Sequence, residues 1–212
     1  MNTEMLVFII EIIGTVAFAS SGAMVGIRKK MDIFGVIVMA VMTAVGGGII
    51  RDLVLGIHPP NTFKNPIYVE YSVATAVILF VVFYIRKQML DSKAMFYYER
   101  IMILLDAIGL GAFTVIGVET AYEIGFVHHR FLLLFVGVIT GVGGGMIRDM
   151  MAQQIPFILV KQIYACASLI GAGVCIWLIP YHKSASMILG AVVVVIIRIL
   201  AATYRWDLPK ID

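Results

Sequence analysis

Charged side chains are scarce in this chain. Lys, Arg, Asp and Glu make up 14% of its 212 residues, while 61% are hydrophobic. A soluble domain carries about 25% charged residues, and a mean hydropathy of +1.01 excludes that class. The marks of chemistry are scarcer still. The two cysteines, Cys166 and Cys175, lie on one predicted helix at a spacing that, at about 100° per residue, turns them to opposite sides and forbids a bridge between them. The four histidines, His58, His128, His129 and His182, sit in polar loops without the spacing of a metal site. No cofactor motif or nucleophile elbow occurs and the acids are dispersed, which argues against an enzyme. A net charge of +3 could invite a nucleic acid, but the bases lie beside helix ends, where membrane topology accounts for them and no nucleic-acid partner is expected.

What the chain has is long apolar runs. A spanning helix needs about 20 predominantly apolar residues, and seven segments meet or approach that length: Met5–Ile27, Ile33–Ile57, Ile67–Ile85, Ile101–Val118, Phe131–Ala152, Phe157–Ile179 and Ala185–Tyr204. The first carries small residues of the kind found at signal cleavage sites, but its leading stretch has Glu4 and no base. Its apolar run also exceeds the usual 7–15 residues of a signal core, so it is read as a retained helix. The expected fold is therefore an all-α membrane protein.

The middle of segment 2 recurs in segment 5. Thr43-Ala44-Val45-Gly46-Gly47-Gly48-Ile49-Ile50-Arg51-Asp52 is matched by Thr140-Gly141-Val142-Gly143-Gly144-Gly145-Met146-Ile147-Arg148-Asp149, and downstream Pro59 and Lys64 fall on Pro156 and Lys161. Upstream, Glu11, Gly14, Ala17, Phe18 and Gly22 fall on Asp106, Gly109, Ala112, Phe113 and Gly117. Residues 5–85 and 100–179 thus read as two copies of a three-helix unit. The chain divides into a first repeat (1–90), a second repeat (91–182), and a seventh helix with a tail (183–212). An odd number of crossings per copy inverts the second copy relative to the first. Arg28, Lys29 and Lys30, then Arg86, Lys87, Lys93 and Arg100, then Arg205 and Lys210 gather on one side, while the other, leaving the repeated motif aside, offers Arg130 and Lys183. The positive-inside rule places the amino terminus outside and the carboxyl terminus in the cytoplasm. The Val-rich run Val192–Ile197 of segment 7, which has no twin, reads as lipid-facing or interfacial.

Each glycine in a helix interior costs about 1 kcal/mol relative to alanine, so three in succession call for a reason. Small residues at every fourth position, Ala40, Ala44 and Gly48 with Gly137, Gly141 and Gly145, offer one: a face that lets another helix approach closely. A second reading is that segments 2 and 5 kink and interrupt at Gly46–Gly48 and Gly143–Gly145. Backbone freed at that depth is tolerated where it lines a hydrated cavity. Thr43 and Thr140 would add hydroxyls, and a monovalent cation would find transient oxygen ligands there. Arg51, Asp52, Arg148 and Asp149 follow each triplet by one turn. Neighbours on a helix point about 100° apart, so each is expected to pair with another segment, either pinning the bundle or attracting and tuning cations. Glu11 and Asp106 are isolated intramembrane acids. Lys64 follows a proline in a polar loop and reads as a snorkelling lysine, whereas Lys161 lies in more apolar sequence and reads as a gate candidate.

A hydrophobic chain of this length, with two three-helix repeats each bearing Gly-Gly-Gly-x-x-Arg-Asp and a seventh helix, resembles the prokaryotic branch of the trimeric intracellular cation (TRIC) channels. It is also similar to bacterial proteins with a glycine-transporter domain. The resemblance covers residues 5–204. It implies a homotrimer in the prokaryotic inner membrane, with contacts to membrane lipid. Each protomer would hold a pore lined by kinked second and fifth helices, conducting potassium or sodium, with no cofactor. By position it makes Gly46–Gly48 and Gly143–Gly145 the kink sites and sets Lys161 near the pore-helix junction. A secondary transporter of a small solute such as glycine is the alternative that an inverted repeat also serves.

Overall fold

The computed structural model describes residues 3–85, 92–160, 163–204 and 206. Within them lie α1 (Thr3–Arg28), α2 (Ile33–Val54), α3 (Asn61–Lys64), α4 (Ile67–Ile85), α5 (Ser92–Glu123), α6 (Arg130–Met151), α7 (Phe157–Val160), α8 (Tyr164–Leu178) and α9 (Lys183–Tyr204), with no strand among the described residues. Six of these helices are long and apolar enough to cross a membrane. The sixth expected segment, Phe157–Ile179, divides into α7 and α8. At about 1.5 Å per residue, the 15 residues of α8 reach less far than a hydrocarbon core of about 30 Å. A short helix followed by a longer one is also the arrangement of α3 and α4, so the two halves share an element that composition did not reveal. Asp32 caps α2 by accepting from the Gly35 N–H at 2.7 Å. The helix stops at Val54, short of the expected Ile57, because Gly56 at φ +72° turns the chain out of the helix.

Helix directions follow from the contacts. Thr3 Oγ1 lies 3.4 Å from Ser184 Oγ, and Lys183 Nζ pairs with Glu119 at 2.8 Å and Glu123 at 2.6 Å. The start of α1, the start of α9 and the end of α5 therefore share one face of the bundle, so α1 and α5 run antiparallel. Gly14 packs on Ala112 and Phe113, while Gly109 packs on Phe18. Because Gly14 and Phe18 correspond to Gly109 and Phe113 in the repeat, these contacts are reciprocal, as a two-fold relation between the copies requires. The Phe18 and Phe113 rings meet across that relation, with centroids 5.3 Å apart.

Each copy closes its first two helices through the same small residues. A Cβ on Gly22 of α1 would meet Met39 O, Thr43 Oγ1 and Ala40 Cα of α2. A Cβ on Gly117 of α5 would meet Val136 O, Thr140 Oγ1 and Gly137 Cα of α6. Backbone-to-backbone approach of this kind lets dispersion hold helices where lipid tails remove the hydrophobic advantage. The α5 helix is the most enclosed span and α4 the least. The α9 helix is anchored on one side and exposed on the other. Val192 and Ile196 are exposed as expected of the Val-rich run, but Val194 and Arg198 are buried, and Gly111 and Gly171 pack on its Ala191 and Val194.

Candidate functional site

The two glycine triplets meet where α2 crosses α6. A Cβ on Gly47 would overlap the Thr140 carbonyl oxygen and come within 3.3 Å of Gly144 N. A Cβ on Gly144 would overlap the Thr43 carbonyl oxygen. The exchange is reciprocal again: Gly46 faces Ile147, and Gly143 faces Ile50 and the Gly47 backbone. Both helices run unbroken through their triplets, which corrects the expectation that the chain ends and restarts at Gly46–Gly48 and Gly143–Gly145. Backbone contact across the crossing supplies the reason for glycine, and helical hydrogen bonding survives because nothing draws the carbonyls away. The two threonines do not present free hydroxyls. Thr43 Oγ1 donates to Met39 O, and Thr140 Oγ1 to Val136 O, each at 2.6 Å and fully enclosed.

The Arg-Asp pairs depart from expectation in part: Arg148 does reach another segment, at Asp106 of α5, but each Arg also binds its own neighbour. Arg51 Nε and Nη2 both reach Asp52 Oδ1 at 2.8 Å, and Arg148 Nε and Nη2 reach Asp149 Oδ1 at the same distance. The neighbours pair after all, because the long guanidinium folds back across the last helical turn and the divergence of the Cα–Cβ bonds does not limit it. The remaining carboxylate oxygen then holds the next element. Asp52 Oδ2 accepts from the Asn61 N–H at 2.7 Å, and Asp149 Oδ2 from the Phe157 N–H at 2.9 Å. These are the first residues of α3 and α7, so each Asp satisfies a helix-start donor that would otherwise lack a partner.

Beyond this shared unit the copies differ. In the second copy, Arg148 Nη1 donates to Asp106 Oδ1 at 2.7 Å and to Ser21 Oγ, and the Phe157 ring lies 5.7 Å from the guanidinium. Arg148, Asp106, Asp149, Ser21 and Tyr164 are all buried, which seals this half. In the first copy, Arg51 makes its salt bridge to Asp52, while Glu11, the counterpart of Asp106, accepts from the Tyr68 hydroxyl. A cavity of about 310 Å³ remains there, lined by Glu11, Thr15, Ala44, Val45, Gly48, Arg51, Asn61, Thr62, Lys64, Asn65, Tyr68, Phe113 and Thr120. Its walls come from the start of α1, the end of α2, the start of α4 and the end of α5, with exposed Lys64 and Asn65 among them. It therefore lies toward the face that carries Thr3 and Lys183. The sealed half lies toward the opposite face, where α1 ends at Arg28.

The structure thus brings Glu11, Gly48, Arg51 and Lys64 together around one cavity and gathers Asp106, Arg148 and Asp149 at the other end, with the Gly47–Gly144 crossing between. Lys161 lies outside the described residues, as do Arg86, Lys87, Arg205 and Lys210. Tyr68, Tyr164, Ser21 and Arg198 escaped the sequence reading. Arg198, 2% exposed, holds its guanidinium 4.5 Å from the Tyr164 ring centroid; a lone base inside an apolar segment was the available signal. The histidines are exposed as expected, and no cluster of three metal-ligating side chains occurs among the described residues.

Comparison with known proteins follows the same duplication. A family profile described as glycine transporter matches twice, over residues 8–84 and 103–180. The inner membrane protein YadS of Escherichia coli strain K12 is 38% identical over 97% of this chain and 96% of its own length. The membrane protein YvgT of Bacillus subtilis is 32% identical over 95% of each. Among solved structures, a prokaryotic TRIC channel crystallised in 0.5 M KCl is 34% identical over 97% of this chain and all of its own, with a TM-score of 0.87. The TRIC trimeric intracellular cation channel orthologue from Rhodobacter sphaeroides is 30% identical over 93% of this chain and 97% of its own, with a TM-score of 0.82.

Proposed function

The chain belongs to the family of the prokaryotic TRIC channels and is an integral membrane protein; from that premise we propose that it is a monovalent cation channel with potassium as its main permeant ion. Each protomer of a homotrimer holds its own path in the prokaryotic inner membrane. The path starts in the cavity beside Glu11, passes the Gly47–Gly144 crossing, and is closed in this arrangement by the Arg148–Asp106 pair. The orientation proposed is amino terminus outside, with Arg28 and Arg100 on the cytoplasmic face.

The observation that carries this reading is the chemistry of the cavity wall. Seven of its residues, Glu11, Thr15, Asn61, Thr62, Asn65, Tyr68 and Thr120, bear side-chain oxygens. The Arg51 charge is met by Asp52, so Glu11 and Lys64 set the local balance. Numerous neutral oxygens around one carboxylate give the weak, multiple sites that let a cation enter and leave. Access from one face only, with acid and base both in the wall, is the observation that favours the second reading, a transporter of a small zwitterion such as glycine. Proteoliposomes loaded with potassium separate the two. Rapid, voltage-driven potassium efflux is expected of the channel, whereas saturable glycine uptake without that efflux would replace it with the transporter.

A further inference from the structure

The two halves carry one chemical plan in two states. In both, the Arg binds the following Asp through Nε and Nη2 to a single Oδ1. They differ at the acid of the opening helix. Glu11 is bonded by a tyrosine, Tyr68, and stands beside a cavity. Asp106 is bonded by Arg148 Nη1, and its own tyrosine, Tyr164, stands by with its ring under Arg198 and its hydroxyl out of hydrogen-bond geometry. Asp106 Oδ2 and Tyr164 Oη are both enclosed and lack a hydrogen-bond partner, and both residues are 3% exposed. Tyr164 Oη and Asp106 Oδ1 lie 3.1 and 3.8 Å from the point a Cβ on Gly145 would occupy, with Arg148 Nη2 also 3.8 Å away. Glycine leaves that point clear.

Two enclosed polar atoms side by side without partners are rare in a settled interior, since each forfeits the full desolvation of its group. The first copy shows the arrangement that would satisfy them: the tyrosine donating to the carboxylate while the guanidinium stays on its neighbouring Asp. We propose that Asp106 and Tyr164 form an inner cation site, the repeat mate of the Glu11–Tyr68 site, which the Arg148 guanidinium fills in this structure as a tethered cation. When Arg148 withdraws to Asp149 alone, as Arg51 rests on Asp52, Tyr164 donates to Asp106 and a monovalent cation takes the guanidinium's place from the face where α1 ends. Arg198 over the Tyr164 ring ties this movement to α9. The site rests on the cation reading above.

The test uses the full-length protein in sealed, oriented membrane vesicles, with Cys166→Ser and Cys175→Ala, and with Ser21→Cys as the reporter. Ser21 touches Arg148 but neither member of the proposed site. A membrane-impermeant methanethiosulfonate is added to the face carrying Arg28. With Arg148 present, labelling is slow. Arg148→Gln raises the rate at least tenfold, KCl slows it again where equal choline chloride does not, and adding Asp106→Asn removes that protection. An unchanged rate in Arg148→Gln, labelling from the opposite face alone, or equal protection by choline would overturn the site. Should Arg148→Gln not fold, Arg148→Lys keeps the charge with fewer donors, and an intermediate rate is expected where an unchanged one overturns. Labelling requires no current. A silent bilayer with potassium-protected labelling therefore removes the channel and keeps the site, and unitary currents with unprotected labelling do the reverse.

Discussion

Alanine at Gly47 and alanine at Gly48 are neighbours in sequence and opposites in expected effect. The helical preference is the same at both, a gain of about 1 kcal/mol for removing a mid-helix glycine. At Gly48 the new methyl meets nothing nearer than Arg51 Nη2 at 3.9 Å, so the gain stands. At Gly47 it overlaps the Thr140 carbonyl oxygen and crowds Thr140 C at 3.2 Å and Gly144 N at 3.3 Å. All three are backbone atoms, so no side chain can rotate away and the helices must part. Overpacking of this kind costs about 1–3 kcal/mol, which cancels or exceeds the gain. The two variants should therefore differ by about 1–3 kcal/mol, with Gly48→Ala the more stable. Thermal unfolding of detergent-purified protein reads this difference. For a chain of this size 1 kcal/mol moves the midpoint by about 2–4 °C, so a gap of several degrees is expected. Gly144→Ala should track Gly47→Ala, because its methyl would overlap Thr43 O and meet the Phe18 ring at 3.1 Å. Equal midpoints for Gly47→Ala and Gly48→Ala would show that the triplet serves flexibility all along its length and that the crossing is not what requires glycine.

Removing the Arg148 side chain should be far more damaging than removing that of Arg51. Arg148→Ala leaves Asp106 and Asp149 enclosed without their base, a loss of about 3–5 kcal/mol. Arg51→Ala strands Asp52 alone, where Arg148→Ala strands two carboxylates, and the two unfolding midpoints should rank accordingly. Glu11→Gln keeps the shape of the cavity and its Tyr68 contact while removing the carboxylate charge, so potassium flux through proteoliposomes should fall with little change in midpoint; undiminished flux would take Glu11 off the path. Lys183→Ala breaks one pair with exposed Glu123 and one with buried Glu119, so its cost should lie between the roughly 1 kcal/mol ceiling of an exposed pair and the about 3–5 kcal/mol of a broken buried one, read by the same unfolding assay.

Much of the fold was legible because it depends on local composition. Apolar length located the spans, and the doubled motif located the two copies together with several of the residue pairs that later proved reciprocal, from Gly14 and Gly109 to Thr43 and Thr140, though not Tyr68 and Tyr164. The triplets were harder, since a glycine that frees its own backbone and a glycine that admits another helix have the same local sequence. The partner decides, and Gly47 meets Thr140 only once both copies are folded. The small-residue face through Ala40, Ala44 and Gly48 pointed toward packing, yet the closest contact falls on its neighbour Gly47. The Arg51–Asp52 pairing defeated the helical-wheel argument because wheels place Cβ atoms and take no account of how far a guanidinium reaches. The use of Asp52 and Asp149 to hold Asn61 and Phe157 had no sequence signal, because α3 and α7 are too short to announce themselves. The unequal states of Glu11 and Asp106 could not be read at all, since equivalent residues in a repeat carry no mark of which copy is open.

The most direct measurement is a planar-bilayer recording of the purified protein with opposed gradients of potassium, chloride and glycine. Unitary currents that reverse near the potassium equilibrium potential and ignore the glycine gradient are expected. Currents that follow chloride, or glycine-dependent flux with no unitary steps, would contradict a cation path through the crossing of α2 and α6.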